Sequence, residues 1–392
     1  MKISSQYFDW AASSPADRGI ALEALNVSQE FYANPSSVHK AGIDARAKIE
    51  EARKRCARVL NVRADTLIFT SGGTESNHIP ILSLLTRPSA GSILIGSTEH
   101  AAVREQAYAL KHAGWTVLTA GCTKSGIIGP EEVLKKLRDD TALVCVMAVN
   151  NETGAIQPIY EIADALSART GKKRPKFHVD AVQACGKIPL DLSHAGIDTA
   201  AISAHKIYGM RGTGLLYSAA RQEPFLRGGG QEGGIRSGTE NLFGIWALTL
   251  CLEKYAARQN FEHIAEKQKK RCARFIGGLS TVGSCTIIPQ NRIREPELYS
   301  PWIVQASFKG IPGEVMVRAL SARGFYISTG SACSSHKSGT NAGRPVLKAM
   351  GIDKESALCS VRFSFGAHTR DEDIDNLLEA VQKTVKELGG GN

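Results

Sequence analysis

A series of short apolar runs separated by helix-compatible stretches is the feature of this sequence that most restricts its fold. The runs recur from residue 66 to residue 218, with helical patterns between them. Strands that alternate with helices are typical of βαβ units around a mostly parallel sheet. The seven runs are TLIFT (66–70), SILIG (92–96), TVLTA (116–120), ALVCVMAV (142–149), KFHVD (176–180), TAAIS (199–203) and GLLYS (214–218).

Two further patterns flank this region. Residues 42–61 place Ile49, Cys56 and Leu60 at helical spacing, which predicts an amphipathic helix. After about residue 250 the pattern changes to a long helical stretch (251–279), two strand-like pieces, IVQASF (303–308) and FYIST (325–329), and a helical C-terminus. We therefore expect an α/β protein with two domains. The large domain spans 14–255, and a smaller α+β domain comprises 1–13 and 256–392.

Composition and charge exclude several classes of protein. The 392 residues carry a net charge of +10, but Lys and Arg are dispersed with no basic stripe interleaved with aromatics, so we expect no direct contact with nucleic acid. The longest apolar runs are far too short to cross a bilayer, and the first ten residues lack the apolar core of a signal peptide. The nine cysteines form no CxxC pair, which argues against disulfides or a zinc ribbon. We predict a cytoplasmic protein without membrane contact or a permanent metal.

Polar residues follow the predicted strands, where a parallel sheet places its ligands. The run TLIFT leads into Ser71–Ser76 (SGGTES) and then a helical stretch, so free backbone N–H groups there could hold a phosphate. A simple turn explains that segment almost as well. KFHVD ends at Asp180, and TAAIS leads into Ser203, His205 and Lys206.

These three features together predict a pyridoxal 5′-phosphate (PLP) site. A phosphate cradle anchors the cofactor, a strand-end carboxylate keeps its pyridine nitrogen protonated, and a strand-end amine forms a Schiff base with the aldehyde. Alone, Lys206 would be read as an ordinary surface lysine. Beside Ser203 and His205, and before the glycine-rich segment 207–214, we interpret it as the Schiff-base lysine.

Long motifs in a fixed order extend this interpretation. The chain resembles the class V aminotransferases of PLP fold type I, and within them the NifS/IscS-like cysteine desulfurases. The motifs that carry the resemblance are YFDWAASSP, NPSSVH, FTSGGTES, STEHAAV, VNNETGAIQPI, HVDAVQACGKIPLD, SAHKIYGMRGTG, GGGQEGGIRSGTEN, STGSACSS and SVRFSFG. Trp10 replaces a polar residue that is usual in the first motif, and the segment after Cys333 departs from the usual short one.

The resemblance implies a role for each matched residue. Gly73, Thr74, Ser203 and His205 would bind the phosphate, joined by Thr239 from a partner subunit, which implies a homodimer. His100 would stack on the cofactor ring and move protons, Asp180 would pair with the ring nitrogen, and Asn151 and Gln183 would contact the ring. Lys206 would carry the cofactor. Arg362 and Asn34 would bind the substrate carboxylate.

The implied activity is removal of sulfur from L-cysteine, giving L-alanine and a persulfide on Cys333. The sulfur would pass to an acceptor or scaffold protein, for iron–sulfur cluster assembly or for thiolation. His336 and Lys337 are close enough in sequence to favour a thiolate at Cys333. Two alternatives stay open at this point: a selenocysteine lyase or transaminase acting on another amino acid, and a non-catalytic relative that binds PLP or another protein.

Overall fold

A computed structural model describes residues 6–169, 173–330 and 344–389. Within them, ten strands form two sheets. The strands are β1 (Leu67–Thr70), β2 (Ser92–Gly96), β3 (Thr116–Ala120), β4 (Thr141–Met147), β5 (Lys176–Asp180), β6 (Thr199–Ser203), β7 (Gly214–Ser218), β8 (Cys285–Ile288), β9 (Ile303–Phe308) and β10 (Ser360–Ser364). All seven runs predicted between residues 66 and 218 are strands.

Twelve α-helices accompany the strands in the described part of the chain. They are α1 (Arg18–Glu30), α2 (Lys40–Leu60), α3 (Gly73–Leu82), α4 (Ala101–Ala109), α5 (Pro130–Lys136), α6 (Ile159–Ser167), α7 (Leu242–Cys251), α8 (Arg258–Ser280), α9 (Gly313–Ala322), α10 (Pro345–Ala349), α11 (Lys354–Leu358) and α12 (Asp371–Gly389). The amphipathic helix predicted over 42–61 is α2.

The larger sheet has the strand order β1-β7-β6-β5-β4-β2-β3. Every pairing among β2, β3, β4, β5 and β6 is parallel, whereas β7 is antiparallel to both of its neighbours. Only residues 204–213 separate β6 from β7, which is too short for the crossover that a parallel pair needs. Since β7 is antiparallel to both β1 and β6, these two strands run in the same direction. Six strands therefore end at the same edge of the sheet.

Helices cover both faces of this sheet. In β4, the side chains of Val144 and Val146 join the core that includes α2, α6 and α7, while those of Leu143 and Cys145 join the core under α3 and α4. This alternation follows from the two-residue period of a strand. A strand buried on both faces reads as a continuous apolar run, as ALVCVMAV does. The expected mostly parallel sheet flanked by helices is confirmed.

The smaller sheet is antiparallel, with the order β10-β9-β8. A separate apolar core lies against it and includes Phe275 of α8, Leu320 of α9 and Leu377 of α12. The N-terminal segment joins this sheet, since Tyr7 bridges Tyr326 and Asp9 bridges Ser364. Its next residues reach the larger sheet, where Ser14 Oγ donates to the carbonyl of His205 at 2.7 Å. The domain limits at residues 14 and 255 stay a proposal.

Two predictions about the C-terminal part were wrong in detail. The stretch 251–279 is not one helix: a π-helical turn (Leu252–Ala256) follows α7, and the chain is extended at Ala257 before α8 begins. FYIST is not a regular strand, because Tyr326 bridges only Tyr7 and Ser328 bridges only Arg362, two partners on different segments. In the described ranges, no helix is long and apolar enough to span a membrane.

Candidate active site

The carboxyl-end edge of the larger sheet brings together most of the predicted site residues. Five strand ends supply them: Gly73 follows β1, His100 follows β2, Asn151 follows β4, Asp180 ends β5, and β6 supplies the fifth. Ser203 ends β6, and a 3₁₀ turn (Ala204–Lys206) comes directly after it. The convergence follows from the parallel strand order, and it is the placement that the sequence pattern predicted.

The start of α3 forms a cradle against β6. A Cβ atom at Gly73 would lie 2.7 Å from Val182 Cγ2 and 3.3 Å from Ser203 Cβ, so only glycine fits this close approach. Gly72, the N-cap, has φ 152° and ψ 179°, a conformation that also favours glycine. Ser203 Oγ is buried and has no hydrogen-bond partner among the described residues. An unpaired hydroxyl beside the free N–H groups of a helix start fits a phosphate group.

Lys206 lies in the turn after β6 and faces the N-terminal segment. Its Nζ donates to the carbonyls of Ala11 and Ala12 at 2.6 and 2.7 Å. The carbonyl of Ala11 also accepts from Gln183 Nε2 at 2.9 Å. The chain thus holds an amine at the strand end, against two backbone carbonyls of the N-terminal segment. An amine placed this way fits the Schiff-base role.

Asp180 is buried at the end of β5, with a donor to each carboxylate oxygen. Asn77 Nδ2 donates to Oδ2 at 2.9 Å, and the backbone N–H of Val182 donates to Oδ1 at 3.0 Å.

A buried lysine lies next to another site residue: Gln183 accepts from Lys187 Nζ at 2.7 Å. Burial lowers the pKa of Lys187 to about 7, and the nearby Lys206 and Arg362 act in the same direction. Sequence reasoning did not single out Lys187.

Two histidines of the site are held in their neutral form. Burial lowers the pKa of His100; the Asp180 carboxylate opposes this shift, and Lys206 adds to it. His100 also caps α4, where its Nδ1 accepts from the N–H of Ala102 at 3.1 Å. Burial, then the charge of Lys206, lowers the pKa of His205 to about 4. Near pH 7, His100 is therefore neutral, and because the cap uses Nδ1 as an acceptor, its hydrogen lies on Nε2.

Arg362 reaches the site from β10 of the smaller sheet. Its guanidinium donates to the carbonyls of Asn151 and Gly330 at 2.8 and 2.9 Å and pairs with Asp9 Oδ1 at 2.8 Å. The side chain is 3% exposed, and in the described structure its Nε has no acceptor. A buried N–H without an acceptor costs free energy, so this edge of the guanidinium fits an incoming carboxylate.

Three acidic side chains of the site were missed by the sequence reasoning. Asp9 pairs with Arg362, and Glu99 and Glu152 are fully buried, each with one carboxyl oxygen that lacks a partner in the described chain. Burial raises the pKa of both glutamates: that of Glu99 further through the Asp180 carboxylate, that of Glu152 against the opposing charge of Arg344. For Glu99 and Glu152, the sequence did contain a signal: each follows a predicted strand and is directly beside a residue that was singled out, His100 or Asn151.

Two predicted residues, Asn34 and Thr239, stand apart from this cluster. Asn34 is exposed in the turn before α2, where its Oδ1 accepts from the N–H of Ser36 at 2.9 Å. Thr239 is exposed in the loop before α7, and no described hydrogen bond joins either residue to the other site residues. Cys333 lies outside the described residues. Within residues 6–169, 173–330 and 344–389, no group of His, Cys, Asp and Glu is arranged to hold a metal ion.

Comparisons with known proteins cover nearly the whole chain. The profile of the family described as aminotransferase class-V matches residues 6–377. Cysteine desulfurase IscS 1 of Archaeoglobus fulgidus is 35% identical over 386 residues, which cover 97% of this chain and 97% of that protein. Cysteine desulfurase IscS of Dictyoglomus turgidum is 33% identical over 396 residues, covering 97% of this chain and 95% of the relative. A solved structure titled NifS-like protein matches with TM-score 0.87 at 32% identity, covering 97% of this chain and 99% of its own.

Proposed function

Because this chain belongs to the class-V aminotransferase family, whose cofactor is PLP, we propose that it is a cysteine desulfurase. It would convert L-cysteine to L-alanine and leave the sulfur as a persulfide on Cys333. The observation that carries the proposal is the joint placement of Lys206, Asp180 and the cradle of Gly73 and Ser203 at one sheet edge, in a chain similar over its length to cysteine desulfurases.

The residues present fit PLP. Gly73, Thr74, Ser203 and His205 would hold the phosphate, and Lys206 would attach the aldehyde carbon. Asp180 would pair with the ring nitrogen, while His100, Asn151 and Gln183 would contact the ring. When bound, PLP supplies an electron sink for the carbon skeleton of the substrate. Two observations support the phosphate position: Ser203 Oγ has no hydrogen-bond partner among the described residues, and the close approach at Gly73 leaves no room for a Cβ atom.

Substrate recognition would fall to Arg362, with Asn34 contributing. The Nε edge of Arg362 is buried and unpaired among the described side chains, so a carboxylate placed there gains a charge-assisted hydrogen bond. Asp9, which accepts from a terminal nitrogen of the guanidinium, helps to keep it in a fixed orientation. His100 would move a proton during the reaction.

Cys333 would accept the sulfur. Its thiolate would attack the substrate sulfur, forming an S–S bond, while the substrate C–S bond breaks and leaves its electron pair with the carbon skeleton. That skeleton takes up a proton and leaves as alanine, and the persulfide passes its outer sulfur to an acceptor protein. The last described residue before the cysteine segment is Gly330, whose carbonyl accepts from Arg362. Because Arg362 would bind the substrate, this contact supports a cysteine segment that begins close to the substrate.

A homodimer is part of the proposal, because Thr239 would complete the phosphate site of a partner subunit. The loop that carries Thr239 is anchored at two points. Glu232 accepts from both terminal nitrogens of Arg53 at 2.7 Å, and Arg236 pairs with Glu75 at 3.3 Å. Such anchoring supports a loop that holds Thr239 in a fixed position on the surface.

We also propose a cytoplasmic location, supported by the eight free cysteines of the described chain.

The direct test is release of alanine and sulfide from L-cysteine with added reductant. Wild type and Cys285→Ala, a control that removes a half-buried cysteine of β8, are expected to release the two products in equal amounts. Cys333→Ala and Lys206→Ala are expected to release neither. Equal activity of Cys333→Ala and wild type would overturn the persulfide mechanism. A yellow wild-type protein inactive on cysteine would point instead to another amino acid.

A further inference from the structure

A chain of buried hydrogen bonds leads from β6 to the carboxylate of Asp180. Thr199 Oγ1 lies 2.8 Å from His178 Nδ1, and His178 Nε2 lies 2.8 Å from Asn77 Oδ1. Asn77 Nδ2 then donates to Asp180 Oδ2 at 2.9 Å. All four side chains are buried, so these groups depend on one another rather than on water for their hydrogen bonds.

The secondary structure explains why these side chains meet. His178 and Asp180 are two residues apart on β5, so their side chains point to the same face of the sheet. Thr199 is the residue of β6 paired with His178 in the parallel register. Asn77 follows Gly73 by four residues on α3, which places both on one side of that helix. One helix thus contributes both to the phosphate cradle and to the support of Asp180.

The donors and acceptors allow one direction only. An ionised carboxylate accepts and cannot donate, so Asn77 must turn its NH₂ group to Asp180 and its Oδ1 to His178. His178 Nε2 must then carry the hydrogen, which leaves Nδ1 as the acceptor of the Thr199 hydroxyl. Burial lowers the pKa of His178 to about 3, which agrees with a neutral ring near pH 7.

We infer that Asn77 and His178 are positioning residues, which hold the Asp180 carboxylate in one orientation for the cofactor's ring nitrogen. His178 acts as the Nε2–H tautomer and fixes Asn77, and Asn77 fixes Asp180. The inference rests on the proposed function for the identity of the group that Asp180 meets. The tautomer and the order of donors rest on the chain's own hydrogen bonds.

The first test reads the tautomer directly. Protein labelled with ¹⁵N in its histidines is examined by long-range ¹H–¹⁵N correlation, with and without PLP, and His178→Gln identifies the signal of His178. The expected result is a neutral ring protonated at Nε2 that does not titrate between pH 5 and 9. A ring protonated at Nδ1, or an imidazolium at neutral pH, would overturn the inference.

The second test measures the affinity for PLP and the absorbance spectrum of the bound cofactor. Asn77→Leu removes the donor to a charged group, and its PLP affinity is expected to fall about 10- to 100-fold. His178→Leu should weaken binding too, whereas His178→Gln, whose amide can donate to Asn77 Oδ1, should stay within about threefold of wild type. In an Asn77→Leu background, His178→Leu should have little further effect, because it acts through Asn77.

Asn291→Leu is the matched control, since Asn291 bonds Glu295 and Tyr299 in the loop after β8. It is expected to leave PLP affinity and spectrum unchanged. Folded Asn77→Leu protein with wild-type affinity and spectrum would overturn the inference, as would multiplicative effects of the two substitutions. If Asn77→Leu does not fold, the contrast between His178→Gln and His178→Leu decides. Failure of wild type to bind PLP would instead contradict the proposed function, and the tautomer measurement would still stand.

Discussion

The two ends of the active site are held in different ways. The cofactor end, defined by Gly73, Asp180, Ser203 and Lys206, is built from strand ends of one sheet and from α3, with Lys206 also bonded to the N-terminal segment. The substrate end, defined by Arg362 and its partners Asp9, Asn151 and Gly330, joins the smaller sheet to three distant segments. Among the described residues, the cofactor end leaves the Ser203 hydroxyl without a hydrogen-bond partner, and the substrate end leaves the Nε–H of Arg362 without one.

This difference teaches that cofactor binding and substrate binding are separable. At the cofactor end, the parallel register of β5 and β6 fixes the positions of Asp180 and Ser203, so a change in the smaller sheet should not reach these two residues. At the substrate end, Arg362 depends on how β10 meets the N-terminal segment and the turn after β4. Substitutions should therefore affect one end and spare the other.

The largest expected effect is that of Arg362→Ala. Loss of the guanidinium removes the charge-assisted bonds to the substrate carboxylate and leaves Asp9 without its partner, so kcat/KM for L-cysteine should fall roughly 100-fold or more. PLP affinity should stay within about twofold of wild type. Steady-state kinetics and cofactor titration give the two values. Arg271→Ala, which removes an exposed pair with Asp371, should change neither, and loss of cofactor in Arg362→Ala would break the separation.

Ser203→Ala should do the opposite. The Oγ of Ser203 is buried without a partner in the described chain, so its removal should leave the Tm of the apo protein unchanged or raise it. PLP affinity should fall roughly 10-fold, because a hydrogen bond to the charged phosphate is lost. Ser92→Ala is the control: its Oγ donates to Asp140 at 2.8 Å, so that variant should lower Tm and leave PLP affinity alone. A clear loss of apo stability in Ser203→Ala would contradict a hydroxyl reserved for the cofactor.

The cofactor end also predicts a pH dependence of stability. Burial lowers the pKa of His178 to about 3, so the unfolded chain binds a proton near pH 6.5 that the folded chain does not. Stability should therefore fall as the pH drops from 6.5 toward 3, and His178 should account for about 2 kcal/mol between pH 7 and pH 5. Urea unfolding of the apo protein at both pH values measures it. His178→Gln should reduce the difference, and an unchanged difference would contradict a neutral buried ring.

The cofactor end was largely predictable from the sequence. Apolar runs of strand length mark β1 to β7, and parallel strands bring their polar C-terminal neighbours to one edge, so Asp180 and Lys206 could be placed together from spacing alone. The glycine at residue 73 followed from the same pattern. Asn77 and His178 could not be assigned, because a polar side chain in a helix or strand carries no signal of its partner until the chain is folded.

The substrate end was not predictable from the residues themselves. Arg362 lies on β10, a strand that was not foreseen, and it came to attention only through the family motif SVRFSFG. Its partner Asp9 is 353 residues away in sequence, a separation that no periodicity reports. FYIST was expected as a strand because its composition favours one, but its two bridges go to different segments and no ladder forms.

Mapping the transferred sulfur tests the central claim most directly. The holoprotein is incubated with one equivalent of L-cysteine, alkylated at once and digested, and each cysteine peptide is examined by mass spectrometry. The account predicts one additional sulfur on the Cys333 peptide, alanine formed in equal amount, and no additional sulfur on the Cys285 or Cys122 peptides. Alanine formed without any sulfur on Cys333, or sulfur spread over the other cysteines, would contradict it.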